Sequence, residues 1–148
     1  MNAKTAAGKR PRMALLVHGN EAVVSSLQDA LSERGFVTVV AQDLASALSA
    51  ITTHYFEVAI VSSQLAGGGD GWHLAGVLHL VFPKAVVCVI SLTEPDVLAL
   101  QAAINYGVRE VYQQSRPAPE MISSILRQLE HSSRSSTARI AARRMRFG

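Results

Sequence analysis

The stretch FEVAIVSSQLAGGGDGW, from Phe56 to Trp72, decides the fold. Val58 to Val61 is a short continuous apolar run, the pattern of a strand buried on both faces of a sheet. Ser62 and Ser63 follow where that strand must end, and a glycine-rich loop then leads into Asp70-Gly71-Trp72, where a helix is expected to begin. In open α/β sheets, functional groups collect at the carboxyl ends of strands, which places the two serines on the rim where a ligand belongs.

Working outward, the same alternation repeats. Met13 to Val17 is a second buried-strand run; His18-Gly19-Asn20 makes a turn, and Asn20 can cap a helix whose Val23, Val24, Leu27, Ala30 and Leu31 share one stripe until Gly35 ends it. Phe36 to Ala41 is a strand, and Asp43 caps a helix running to about Thr53. Beyond the opening stretch, Trp72 to about Val81 is helical and Ala85 to Ser91 is an apolar strand. Thr93 is placed to cap a fourth helix, which tolerates Pro95 in its first turn and ends at Gly107. A strand at Glu110 to Tyr112 and a helix from about Pro119 to Glu130 complete five strand–helix units. Continuous apolar strands joined by helices predict an α/β fold: a doubly wound (βα)5 unit of flavodoxin-like type, with a five-stranded parallel sheet in a three-layer αβα arrangement.

Composition sets the limits. The chain has 148 residues, 49% hydrophobic and 17% charged, enough for one domain with a sizeable core. No apolar run approaches the roughly 18 residues needed to span a bilayer, so a cytoplasmic protein is expected. The single cysteine, Cys88, lies within AVVCVIS and is expected to be a small buried hydrophobe, which leaves no cysteine-based metal site. The net charge of +3 is unevenly distributed. Residues 1 to 13 carry +4 and residues 131 to 148 carry +5, while residues 14 to 130 carry −6. A basic arm (1–12), a folded domain (13–130) and a basic tail or linker (131–148) follow. The tail arginines Arg139, Arg143, Arg144 and Arg146 are candidates for nucleic-acid contact, although the segment has no helix-turn-helix and only Phe147 among aromatics.

The order of elements, the Asp-Gly-Trp after a glycine-rich loop, the turn GVRE at Gly107 to Glu110 and the apolar strand ending in Ser91 resemble the receiver domain of bacterial response regulators, over about residues 13 to 130. The resemblance implies a phosphoryl-accepting aspartate at the end of the third strand, a Mg²⁺-binding acidic pair after the first, a hydroxyl residue ending the fourth and a lysine ending the fifth. A hard dication takes oxygen ligands, and the added charge then repacks a face that partners read. This chain departs from that pattern. Ser62, or Ser63 when counted back from Asp70, takes the aspartate position; His18 and Gly19 take the acidic pair; Gln114 takes the lysine. Ser91 alone is retained, with Arg116-Pro117 a shifted echo of Lys-Pro.

The expected role is therefore a phosphorylation-independent pseudo-receiver with no catalysis, cofactor or metal, in two-component-type or transcriptional regulation. Its partner would be another regulatory protein or a second copy, met through a face carrying Leu98, Gln101, Tyr106, Tyr112 and Arg116. Two other classes compete: a nucleic-acid regulator acting through the tail, and a small hydrolase using Ser62 with His18. The hydrolase lacks a Gly-x-Ser-x-Gly elbow and an acid to orient the histidine. Gly67-Gly68-Gly69 lacks the lysine and hydroxyl of a phosphate-binding loop and is expected to be a flexible connection.

Overall fold

The computed structural model describes residues 11–131. In chain order it holds β1 (Arg12–Val17), α1 (Glu21–Glu33), β2 (Phe36–Ala41), α2 (Leu44–Thr53), β3 (Val58–Ser62), α3 (Gly71–Val81), β4 (Val86–Ser91), α4 (Val97–Tyr106) and β5 (Glu110–Gln113). A last helix, α5, covers residues 118–131. All strand pairs are parallel, in the order β2-β1-β3-β4-β5. The expected doubly wound sheet is what the chain builds. The order reverses beside β1, so the rim at the end of β1 and β3 is the crevice where such sheets bind ligands.

The sheet is covered on both faces because successive strand residues point to opposite sides. Leu15, Val17, Ala59, Val61, Val87 and Val89 pack under α2, α3 and α4, meeting Ala47, Leu74, Leu78 and Ala103. Ala14, Leu16, Val58, Ile60, Cys88 and Ile90 face α1 and α5, meeting Leu27, Leu31, Met121, Ile122 and Ile125. Each fully buried leucine or isoleucine contributes about 1.5–3 kcal/mol. Cys88 is buried as expected, and removal from water raises its thiol pKa far above the usual range.

Helix starts follow the capping logic. Asn20 Oδ1 accepts from the N–H groups of Ala22 and Val23, Asp43 from Ser46, Asp70 from Trp72 and Asp96 from Ala99. The backbone and side-chain bonds to Ser46 hold the Asp43 carboxyl below its usual pKa. Asp96, rather than Thr93, caps α4: its extended backbone lets Oδ1 reach Ala99 at 2.9 Å, so Pro95 precedes the helix instead of lying in its first turn. Several boundaries also differ from expectation by a residue: β3 runs on to Ser62, β4 starts at Val86 and β5 ends at Gln113. Arg12 opens β1, where its guanidinium meets Glu57 at 3.3 Å and lies over the Phe36 ring, and α5 continues through His131.

The glycine-rich segment forms a built turn. Ala66–Gly68 is one turn of 3₁₀ helix, with Gly67 and Gly68 at φ of 78° and 81°, a region that costs side-chain-bearing residues about 1–2 kcal/mol. Leu65 N–H donates to the Gly69 carbonyl, and Gln64 bridges to Asp70. Gly71 has a stricter role, since a Cβ there would lie 1.8 Å from the Ser62 carbonyl oxygen. The Asp-Gly pair thus starts α3 and lets its first turn press against the end of β3.

Candidate functional site

Strand register builds the site. Val17 of β1 pairs with Val61 of β3, which pairs with Val89 of β4. One level higher, Ser62 pairs with Ile90, and Ser91 with Gln113 of β5. Backbone bonds extend the ladder by one more residue: His18 N–H donates to the Ala41 carbonyl, Ser63 N–H to Ile90, and Gln114 N–H to Ser91. His18, Ser62, Ser63, Ser91 and Gln114, separated by up to 96 positions in sequence, therefore stand on one rim.

Among the described residues, one side-chain hydrogen bond crosses this rim. His18 Nε2 lies 3.1 Å from Gln114 Oε1, while His18 Nδ1 accepts the backbone N–H of Asn20 at 3.0 Å. An accepting Nδ1 requires the proton to be on Nε2, so Nε2–H donates to the glutamine oxygen. The imidazole is thereby fixed as a neutral tautomer. Its residue is only 7% exposed, and burial lowers its pKa below 6.5, against an opposing upward effect of the Gln114 bond. A charged ring would have to give up the Asn20 N–H and face the amino end of α1, where the helix dipole disfavours a cation.

The serines are occupied locally. Ser62 Oγ donates to the Gln64 carbonyl at 2.8 Å and accepts a long contact of 3.4 Å from Gln64 N–H. This is the turn-capping role that serine commonly takes at a strand end. His18 has both ring nitrogens engaged elsewhere, so the Ser62–His18 arrangement needed by a hydrolase is not assembled. A cavity of about 110 Å³ opens beside His18, lined by Glu21, Ser25, Gln28, Val40 and Gln42 among others. It lies between α1 and β2, and Ser62, Ser63, Ser91 and Gln114 do not line it.

The Mg²⁺ that the receiver resemblance implies does not suit these residues. Around the rim stand a neutral imidazole, Gly19, Asn20, three serines and Gln114, with Glu21 in the first turn of α1. No group of three or more His, Cys, Asp or Glu is placed to hold a metal ion among the described residues. A hard dication needs carboxylate oxygens in close company, and these donors do not supply them.

The surface expected to meet partners is partly as anticipated. Leu98 is 74% exposed, Gln101 and Arg116 are exposed and Tyr106 is half-buried. Tyr112 is a correction: it is 1% exposed, packed between β4 and α5, because β5 has both faces covered. Burial pushes its phenol pKa up to about 12, and its hydroxyl lies near Ser124 without hydrogen-bond geometry. Arg116 lies over the Tyr112 ring at 5.1 Å. On α4, Leu100 is 52% exposed, whereas Ala103 is buried. The tail arginines lie outside the described residues.

Comparison with known proteins agrees with this geometry at the level of fold. No family model matches the chain, and no curated protein matches it. Among solved structures, the chain is similar to a CheY-like response regulator receiver domain protein from Methanospirillum hungatei, with a TM-score of 0.76 and 16% identity over 85% of this chain and 99% of that one. It is similar to the signal receiver domain of an HD domain-containing protein from Pseudomonas fluorescens, with a TM-score of 0.73 and 24% identity over 84% and 98% of the two chains. A response regulator from Burkholderia pseudomallei, solved with a phosphorylated aspartic acid, a calcium ion and citrate, gives 0.71 and 18% identity over 86% and 74%. The fold is that of receiver domains. No described helix is long and apolar enough to cross a membrane.

Proposed function

We propose that this chain is a pseudo-receiver: a receiver-fold module of bacterial two-component-type regulation that works by protein contact and without accepting a phosphoryl group. The observation that carries the reading is the neutral His18–Gln114 bond. It spans the rim between the two positions where a receiver would hold a metal-binding carboxylate and a phosphoryl-binding lysine. Serine at the strand end supports the same reading, since a carboxylate is needed to form a labile acyl phosphate and Ser62 already serves its own turn. With no cluster of buried carboxylates, the rim has no mutual repulsion for a cation to relieve. The module is accordingly held in one state by hydrogen bonds that no phosphodonor changes.

Its working surface is then the face formed by α4, β5 and α5, through which it pairs with a second copy or with another regulator. Exposed Leu98, Gln101 and Arg116 supply apolar, amide and cationic groups on that face, arginine being a type enriched at interfaces, while the Tyr106 ring packs toward His73 of α3. The direct test is incubation of the full chain with a small acyl-phosphate donor and Mg²⁺, followed by intact-mass measurement. The reading expects no added phosphoryl group. A hydroxylamine-labile adduct would overturn it.

A further inference from the structure

Helix α4 is poorly embedded for a helix of this composition. Of its ten residues only Ala103 is buried, while Val97, Leu98, Leu100 and Ile104 are 69%, 74%, 52% and 79% exposed. Val97, Leu100 and Ile104 follow the i, i+3, i+7 spacing of one stripe, with Leu98 at its shoulder. The helix itself, VLALQAAINY, carries no charge. Glu94 and Asp96 stand at its amino end, so the surface is apolar along its length and acidic at one end. Scattered exposed leucines need no explanation, but a stripe of this kind marks a docking surface.

The chain contains a segment of matching chemistry. Residues 139–147, RIAARRMRF, interleave Ile140, Met145 and Phe147 with four arginines and no acid. Residues 11–131 carry eleven carboxylates against six Arg and Lys, a net of −5, which attracts a segment of this sign. Reach permits contact. Helix α5 descends about 20 Å from the rim, whereas residues 132–148 span up to about 56 Å when extended. Seven residues, Ser132 to Ala138, separate the end of α5 from Arg139 and count toward that reach.

We infer that residues 139–147 dock in cis on the apolar face of α4, with arginines toward Glu94 and Asp96, and so cover the surface through which the module meets its partners. This deepens the proposed function and rests on it, because the segment would regulate that same face. Apolar side chains give the contact its stability, and the charges guide it and make it weaken with salt.

The test uses the full chain with Met145→Cys carrying a nitroxide spin label. Cys88 is buried, which directs labelling to the new thiol. Amide signals of residues 94–104 are expected to broaden, and to recover in about 1 M salt, where the screening length falls to about 3 Å. Ile104→Glu, at a site 79% exposed, should abolish the broadening without unfolding the domain. Unbroadened α4 signals would overturn the inference. So would broadening seen only when spin-labelled chain is mixed with unlabelled isotopic chain, which would place the segment on a second copy. Self-association of the full chain, read by sedimentation, separates the two claims. If α4 is unbroadened yet Leu98→Glu abolishes self-association, the cis contact is refuted while the interaction-face reading stands.

Discussion

Replacing His18 by alanine removes both hydrogen bonds that fix the rim. Gln114 Oε1 loses the Nε2–H donor at 3.1 Å, and the Asn20 N–H loses Nδ1 at 3.0 Å. Each neutral hydrogen bond contributes about 1 kcal/mol, and a partly buried group left unpaired costs about 1–3 kcal/mol. With water able to reach Asn20, the low end applies, giving a total loss of about 2–3 kcal/mol. Urea unfolding at neutral pH should show this as a midpoint lowered by about 1–2 M, for a slope of roughly 1.5–2 kcal/mol/M. Pairing the substitution with Gln114→Ala in a double-mutant cycle should return a coupling of about 1 kcal/mol. The wild-type pH profile carries a second signature. His18 has a lower pKa folded than its ordinary 6.5, so in the interval between the two values the unfolded chain binds more protons. Stability should therefore fall as pH drops through 6.5 and level off, for this group, below the folded pKa. His18→Ala should remove that inflection. A variant within about 0.5 kcal/mol of wild type, the scatter of ordinary surface changes, or an unaltered pH profile, would refute the neutral clamp.

Three further outcomes follow from the packing. Gly71→Ala should cost about 3 kcal/mol, the upper range for forced overpacking, because its Cβ would meet the Ser62 carbonyl at 1.8 Å; thermal unfolding measures it. Asp70→Ala should cost about 1 kcal/mol through loss of the α3 cap, and Asp70→Asn should recover most of it in the same assay. Cys88 should resist a maleimide in the native chain and react only on unfolding, since burial raises its pKa and removes access. Fast native labelling would contradict the packing of β4.

The sheet was legible in the sequence because the three central strands β1, β3 and β4 are each built on a continuous apolar run closed by a polar residue, and both faces of this sheet are covered. Caps at Asn20 and Asp43 were legible for a local reason: a short polar side chain directly preceding a helical stripe. The start of α4 was less so, because Thr93 and Asp96 are both capping types flanking a proline, and only the backbone conformation at Asp96 decides between them. Tyr112 was expected on the partner face from the receiver resemblance, but β5 is covered by α5 on one face and so buries it. The rim positions themselves could be read residue by residue. The hydrogen bond joining His18 to Gln114 could not, since it links residues 96 apart and depends on a tautomer set by Asn20. Its sequence signal was only the absence of charge at both ends.

The central claim is that this rim neither takes a cation nor responds to one. The most direct measurement is an NMR titration of the full chain with Mg²⁺, following the His18 ring nitrogens and the amides of Asn20, Ser62 and Gln114. The account predicts a protonated Nε2, an unprotonated Nδ1 and no saturable shift at any of these sites. A saturable shift centred on His18, Asn20 and Ser62, with loss of the bond to Gln114, would contradict it.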